Sequence, residues 1–157
     1  MVDTPTGIAV AAGAGERIRS PLGGDITFIV RGEQSGGALA AMVALAPPGD
    51  GPPLHIHTRE DETVYVLEGE FRWRLGEEPI ASGPGSFVFI PRGLAHTWQC
   101  LGDRPGRMLI TFAPAGMEGF FESLSSLTDF DPEAFRRAGE EHAMKVVGPP
   151  LAESDPL

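Results

Sequence analysis

A chain of 157 residues, 41% of them hydrophobic, is long enough for one domain with a buried core and too apolar to be disordered. Its 22 acidic and 12 basic residues give a formal charge of −10, which argues against nucleic acid and anionic membranes, since both are bound through a surplus of Lys and Arg. A single cysteine, Cys100, excludes an intrachain disulfide, no apolar run reaches membrane-spanning length, and no basic-then-apolar leader is visible, so the expected setting is the cytoplasm.

The 21 glycines and 15 prolines favour short strands joined by turns over long helices. Ile8 to Gly15 has the outline of a strand entering a dinucleotide loop, but Ile18 stands where the fingerprint needs a third glycine and no amphipathic helix follows. Residues 1–24 are therefore expected to form an arm or an edge strand. Asp25 to Arg31 is β-branched and aromatic and predicts a strand; Gly32 to Gly37 is a turn, and Ala38 to Ala46 a second strand that Pro47-Pro48-Gly49 ends. Ile26 to Val30 is the segment expected to pair across a two-fold axis in a homodimer.

Thr63 to Leu67 is a third strand, turned by Glu68-Gly69-Glu70 into Phe71 to Leu75. There strict alternation puts Phe71, Trp73 and Leu75 on one face and Arg72 and Arg74 on the other. Ser86 to Ile90, Ala95 to Cys100 and Arg107 to Ala113 complete a series typical of a sandwich or barrel. Beyond Pro114 the period changes: Met117, Phe120, Phe121, Leu124 and Leu127 are spaced by three and four, as on a helix. Asp131-Pro132-Glu133 predicts a second helix start, with Phe135 as its apolar anchor and Gly139 as its weak point. One domain over 1–157 accommodates strands in about 25–113, helices in about 116–145 and a loose tail at 148–157.

Three of the four histidines lie in two short runs, Gly49 to Gly69 and Gly85 to His96. In a strand, His55 and His57 point to the same face. Glu62 shares parity with Val64 and Val66, and His96 with Trp98 and Cys100, so all four can face one interior. Three imidazoles and a carboxylate suit a divalent transition metal. An isolated His-x-His is an ordinary surface pair; the surrounding residues are what distinguish this one. Gly49, His55, His57, Glu62 and Gly69 fit Gly-x5-His-x-His-x(3–4)-Glu-x6-Gly, and Gly85, Pro91, Gly93 and His96 fit Gly-x5-Pro-x-Gly-x2-His. At these positions the chain resembles the cupin superfamily, departing only at Cys100, where that pattern has asparagine.

The resemblance implies an all-β jelly-roll barrel, a small double-stranded β-helix followed by C-terminal helices, with one divalent metal (Fe, Ni, Mn, Cu, Co or Zn) held by His55, His57, Glu62 and His96. It also separates Glu62 from Glu60, which has the same parity but not the family's spacing. In arrangement the chain is most similar to single-domain quercetin 2,3-dioxygenase-type cupins, which implies oxygenation of a small enolic or phenolic substrate with Glu62 moving a proton. A non-oxidative metal-dependent isomerase, cyclase or lyase and a non-enzymatic binding cupin are the alternatives. Trp73, Trp98, Phe87 and Phe89 are expected in the core or pocket wall, Tyr65 in packing, Cys100 as a buried small hydrophobe, and Arg59, Arg92 and His142 at the surface.

Overall fold

The computed structural model describes residues 6–157, so the first five residues of the expected N-terminal arm lie outside the described residues. The elements are β1 (Glu16–Arg19), β2 (Asp25–Val30), β3 (Ala40–Ala46), β4 (Leu54–His57), β5 (Asp61–Glu68), β6 (Glu70–Leu75), β7 (Glu78–Ser82), β8 (Phe87–Ile90), β9 (His96–Leu101) and β10 (Gly106–Ala113), then α1 (Glu118–Leu124), α2 (Pro132–Glu141), β11 (Met144–Gly148) and α3 (Leu151–Ser154). Two antiparallel sheets face each other in a jelly roll: one in the order β1-β2-β3-β10-β5-β8, the other β11-β4-β9-β6-β7. Alternation builds the space between them. Ile26, Phe28, Met42, Val64, Val66, Met108, Ile110 and Phe112 point inward from the first sheet, and Phe71, Trp73, Trp98 and Cys100 from the second, all buried.

Turn chemistry fixes the registers. Gly69, between β5 and β6, has φ 86°, a conformation that costs a side-chain-bearing residue, and this lets the hairpin reverse at once. Gly93 (φ 87°) turns the chain just before β9, and its N–H donates to the His57 carbonyl at 2.8 Å, tying the second motif to the first.

Several expectations need correction. β2 is not a free edge over most of its length: β1 pairs along it from Glu16 opposite Phe28 to Arg19 opposite Asp25, so Ile26 to Phe28 are already paired on the side expected to meet a second chain. Segment 116–145 is not wholly helical, because β11 begins at Met144 and pairs with β4, Met144 opposite His57 and Val146 opposite His55. The tail is not loose throughout: α3 buries Leu151, and the Arg72 guanidinium donates to the Leu151 and Asp155 carbonyls. Phe87 and Phe89 are 63% and 54% exposed, whereas Val88 and Ile90 face inward. β8 is apolar on both faces, so its alternation carries no sign of which face is buried. Trp73 and Cys100 are buried and Tyr65 is exposed on the outer face.

Asp131 caps α2, its Oδ1 accepting from the N–H groups of Glu133 (2.9 Å) and Ala134 (3.1 Å). Gly139 does not end that helix; a Cβ there would stand 2.6 Å from Met144 Cε, so its smallness lets β11 pack close.

Gly106, where β10 begins, is crowded: an added Cβ would stand 2.3 Å from Phe71 Cζ and 3.2 Å from Cys100 Sγ. Gly106→Ala is expected to destabilise the domain by about 1–3 kcal/mol, the usual cost of overpacking. A urea midpoint lowered at constant slope is the expected result; an unchanged midpoint contradicts the packing described.

Candidate metal centre

The four residues singled out in the sequence are buried together, and one potential ligand atom from each lies within 4.8 Å of the others. They come from both sheets. His55 and His57 sit on β4, His96 is His55's partner on β9, and Glu62 reaches across from β5 between Phe112 and Ile90. The imidazole centroids are 4.3 Å (His55–His96), 5.0 Å (His55–His57) and 5.3 Å (His57–His96) apart.

Their protonation follows from their partners. His55 Nδ1 lies 2.8 Å from the Pro53 carbonyl and His96 Nδ1 3.0 Å from the Leu94 carbonyl. A carbonyl only accepts, so each Nδ1 carries the proton, and a neutral ring then turns the Nε2 lone pair toward the cluster. That is the tautomer a metal ligand needs. Among the described residues His57 Nδ1 is buried without a partner, and its ring is steadied by Phe112, edge-on at 5.3 Å.

Glu62 Oε2 lies 2.9 Å from His96 Nε2 and 3.2 Å from His57 Nε2. A carboxylate oxygen facing nitrogen lone pairs is repulsive unless a proton or a metal cation lies between them. Burial pushes the Glu62 carboxyl up, but hydrogen bonds from His57 and His96 outweigh it and hold the carboxyl well below the usual range. Burial lowers the His55 imidazole, and the neighbouring rings of His96 and His57 lower it further. For His96 burial also lowers, but the hydrogen bond and charge of Glu62 prevail and raise it. The donor set fits a divalent transition cation: three imidazole nitrogens, two of them with lone pairs fixed by backbone carbonyls, one ionised oxygen and a buried setting.

Other acids and bases nearby are differently engaged. Glu60 is fully buried, but its carboxylate turns to Arg59 and one oxygen has no partner among the described residues. Arg92 pairs with Asp61 at 3.1 Å on the surface. His142 is half-buried, its ring against Gly119 where α1 and α2 meet. Burial pushes the Cys100 thiol up, consistent with an inert side chain.

The cluster opens into a cavity in which about 70 Å³ is open to the centre of a water molecule, within about 680 Å³ of atom-free space that includes solvent at its mouth. The walls are Ile26, Met42, Ala44 and Phe112 from one sheet and Trp98 from the other, with Met117, Phe120, Phe121 and Phe135 of the C-terminal helical region and Met144 closing it. Sequence periodicity finds the apolar stripe of the helices but not that it covers the site. Asp50 and Ser20, which also line the cavity, were not anticipated: both are in loops, where no period tells which way a side chain points.

Residues 42–112 match the family described as Cupin domain, and they contain every residue of the cluster. Over that stretch the chain is similar to a cupin domain, and its fold is that of the cupin barrel. Protein SchB of Streptomyces halstedii is 29% identical over 93 residues, 59% of this chain and 67% of that protein. The quercetin 2,3-dioxygenase of Bacillus subtilis is 30% identical over 87 residues, 55% of this chain but 26% of the enzyme. The match therefore spans two thirds of the one relative and about a quarter of the other. Among solved structures, KdgF from Halomonas sp. superposes with a TM-score of 0.62 at 21% identity, covering 69% of this chain and 94% of that one, which shows a shared fold.

If the cluster holds metal, the purified protein should contain about one divalent ion per chain and His96→Ala should lose it, with mass spectrometry of the folded protein as the measurement. Added metal should also raise the melting temperature of the wild type by mass action and leave the variant unmoved. Full occupancy in His96→Ala would contradict the site.

Proposed function

We propose that this protein is a metal-dependent cupin dioxygenase that adds O2 to a small enolic or phenolic substrate of flavonol type. The observation that carries the reading is one ionised carboxylate, Glu62, set among three imidazoles at the end of an enclosed apolar cavity. His55, His57, His96 and Glu62 would hold the cation. The chemistry such a cation supplies is stabilisation of an enolate or phenolate, whose electron-rich ring can react with oxygen.

The chain's own residues do the rest. The apolar walls, Phe112 and Trp98 among them, bind the flat body of the substrate and exclude water from its oxygenated products. The carbonyls of Pro53 and Leu94 keep the His55 and His96 lone pairs aimed inward. Glu62 is kept ionised by its neighbours, and its Oε2 accepts the substrate's hydroxyl proton as the carboxylate swings away from His57 and His96. The apolar pocket and partly matching dioxygenase relative support this reading over a non-enzymatic binding cupin.

A cytoplasmic setting suits a chain whose one thiol is buried and unpaired, and no helix among the described residues is long and apolar enough to cross a membrane. We also place a homodimer contact on the edge strand β8, paired only with β5 among the described residues, where Phe87 and Phe89 project beside Tyr65. Light scattering at micromolar concentration should give twice the chain mass, and Phe89→Glu should halve it. A monomeric wild type rules the contact out.

Glu62→Gln keeps the shape and an amide oxygen but removes charge and basicity. Metal-normalised oxygen consumption with a flavonol is expected to fall by roughly a hundred- to ten-thousand-fold, the range for a lost general base, while much of the metal is retained. A loss below about tenfold would leave Glu62 only a ligand. Turnover that persists without oxygen would replace oxygenation by isomerisation, cyclisation or elimination, and stoichiometric binding without turnover would make this a binding protein.

A further inference from the structure

The cavity has a second polar end that the reaction above does not use. Its lining is apolar except for the tryptophan N–H, the ligand cluster at one end, and Ser20 and Asp50 at the other. The separation follows from the strands. His55 is the partner of His96, whereas the Asp50 carbonyl accepts from the Cys100 N–H at 2.8 Å, four residues further along β9. At about 3.3 Å per residue, the two ends lie roughly 13 Å apart along the barrel.

Asp50 is half-buried, and its Oδ2 lies over Gly23, 3.2 Å from where a Cβ would stand. The neighbour being glycine leaves that oxygen room. Among the described residues no N–H or O–H group donates to the Asp50 side chain and no cation pairs with it, and burial pushes its carboxyl up. Ser20 Oγ accepts from the Leu22 N–H at 3.2 Å, and its own O–H has no acceptor among the described residues. A carboxylate drawn partly out of water with no donor is a poor structural element and a good receptor for a ligand hydroxyl.

We propose that Asp50, with Ser20 beside it in the lining, is a specificity-determining site that receives a phenolic hydroxyl at the far end of the substrate. The inference rests on the ligand cluster being the end that takes the enol. It narrows the substrate class to rigid, flat polyphenols of two linked ring systems, hydroxylated at both ends. The middle of such a molecule lies against Trp98 and the apolar walls. A ligand lacking the distal hydroxyl leaves Asp50 stripped of water without compensation, and a site built to bond a hydroxyl discriminates strongly against such an analogue.

The test compares two probes, 3-hydroxyflavone and 3,4′-dihydroxyflavone, which share the enol end and differ in the distal hydroxyl. Binding to the metal-loaded protein without oxygen is followed by quenching of tryptophan fluorescence, to which Trp98 in the cavity wall responds. Wild type is expected to bind the dihydroxy compound at least about tenfold more tightly, the effect of one hydrogen bond to a charged group. Asp50→Ala should bring the two affinities within about twofold, and Asp50→Asn, which keeps an oxygen acceptor and the loop's shape, should fall between. Melting temperature and metal content identify folded variants, and Asp50→Asn decides should Asp50→Ala not fold.

A wild-type preference below about twofold, a preference undiminished by the substitutions, or failure to bind either probe would overturn the proposal. Oxygen consumption is a separate readout: discrimination without oxygen uptake rejects dioxygenation and leaves the Asp50 site standing.

Discussion

The placement of one carboxylate from one sheet among three imidazoles of the other is the constraint on which the rest of the protein depends. Glu62 reaches from β5 to within 2.9 Å of His96 and 3.2 Å of His57, so the contact bridges the two layers of the jelly roll. Buried as they are, the ionised oxygen and the nitrogen lone pairs must share a cation, whether a proton or a metal. The same contact therefore closes the barrel locally and creates an electron-pair-rich pocket in an apolar interior. Neighbouring structure serves that arrangement. The carbonyls of Pro53 and Leu94 fix two rings, Phe112 flanks the third, and the bond from Gly93 to the His57 carbonyl holds the second motif against the first.

Around this centre the protein excludes water in an asymmetric way. The β6–β9 side is packed solid with Phe71 and Trp73, Trp73 donating to Ser82 at 2.7 Å. The side bounded by β2, β3, β4 and β11 stays hollow and is roofed by aromatic residues of the C-terminal segment. Phe135 packs edge-on against Phe120 at 5.1 Å, so the two helices hold each other over the opening. A hollow kept apolar strengthens every charge interaction at its end, and the few polar groups that remain in its wall acquire correspondingly large consequences for what can bind.

Much of the barrel was legible in the chain. The alternation of Phe71, Trp73 and Leu75, the turn at Gly69 and the paired runs around His55 and His96 are local patterns, and local sterics decide them. The capped start of α2 was equally visible, because Asp131 and Pro132 act within one turn. What was lost lay where a pattern is ambiguous or a partner is distant. β8 is apolar on both faces, so Phe87 and Phe89 could not be told from Val88 and Ile90 without knowing which side the barrel was on. β7, with Pro79 and an exposed sequence, is a strand because β6 offers it an edge.

Local sequence carried the candidate ligand set: strand parity turns His55, His57 and His96 inward and leaves Glu60 and Glu62 equal, and the resemblance to the cupin pattern, itself confined to two short runs, chooses Glu62. Tertiary structure alone decided that β1 covers β2, that Met144 to Gly148 returns as a strand beside β4, and that the aromatic stripe of the helices lies over the site. It alone decided, too, that Asp50 faces the same cavity from the opposite end. The physical reason is range: side-chain direction within a strand is set by the neighbouring peptide units, whereas the partner of a loop carboxylate or a helix face is set by segments tens of residues away, brought near only when the whole chain packs.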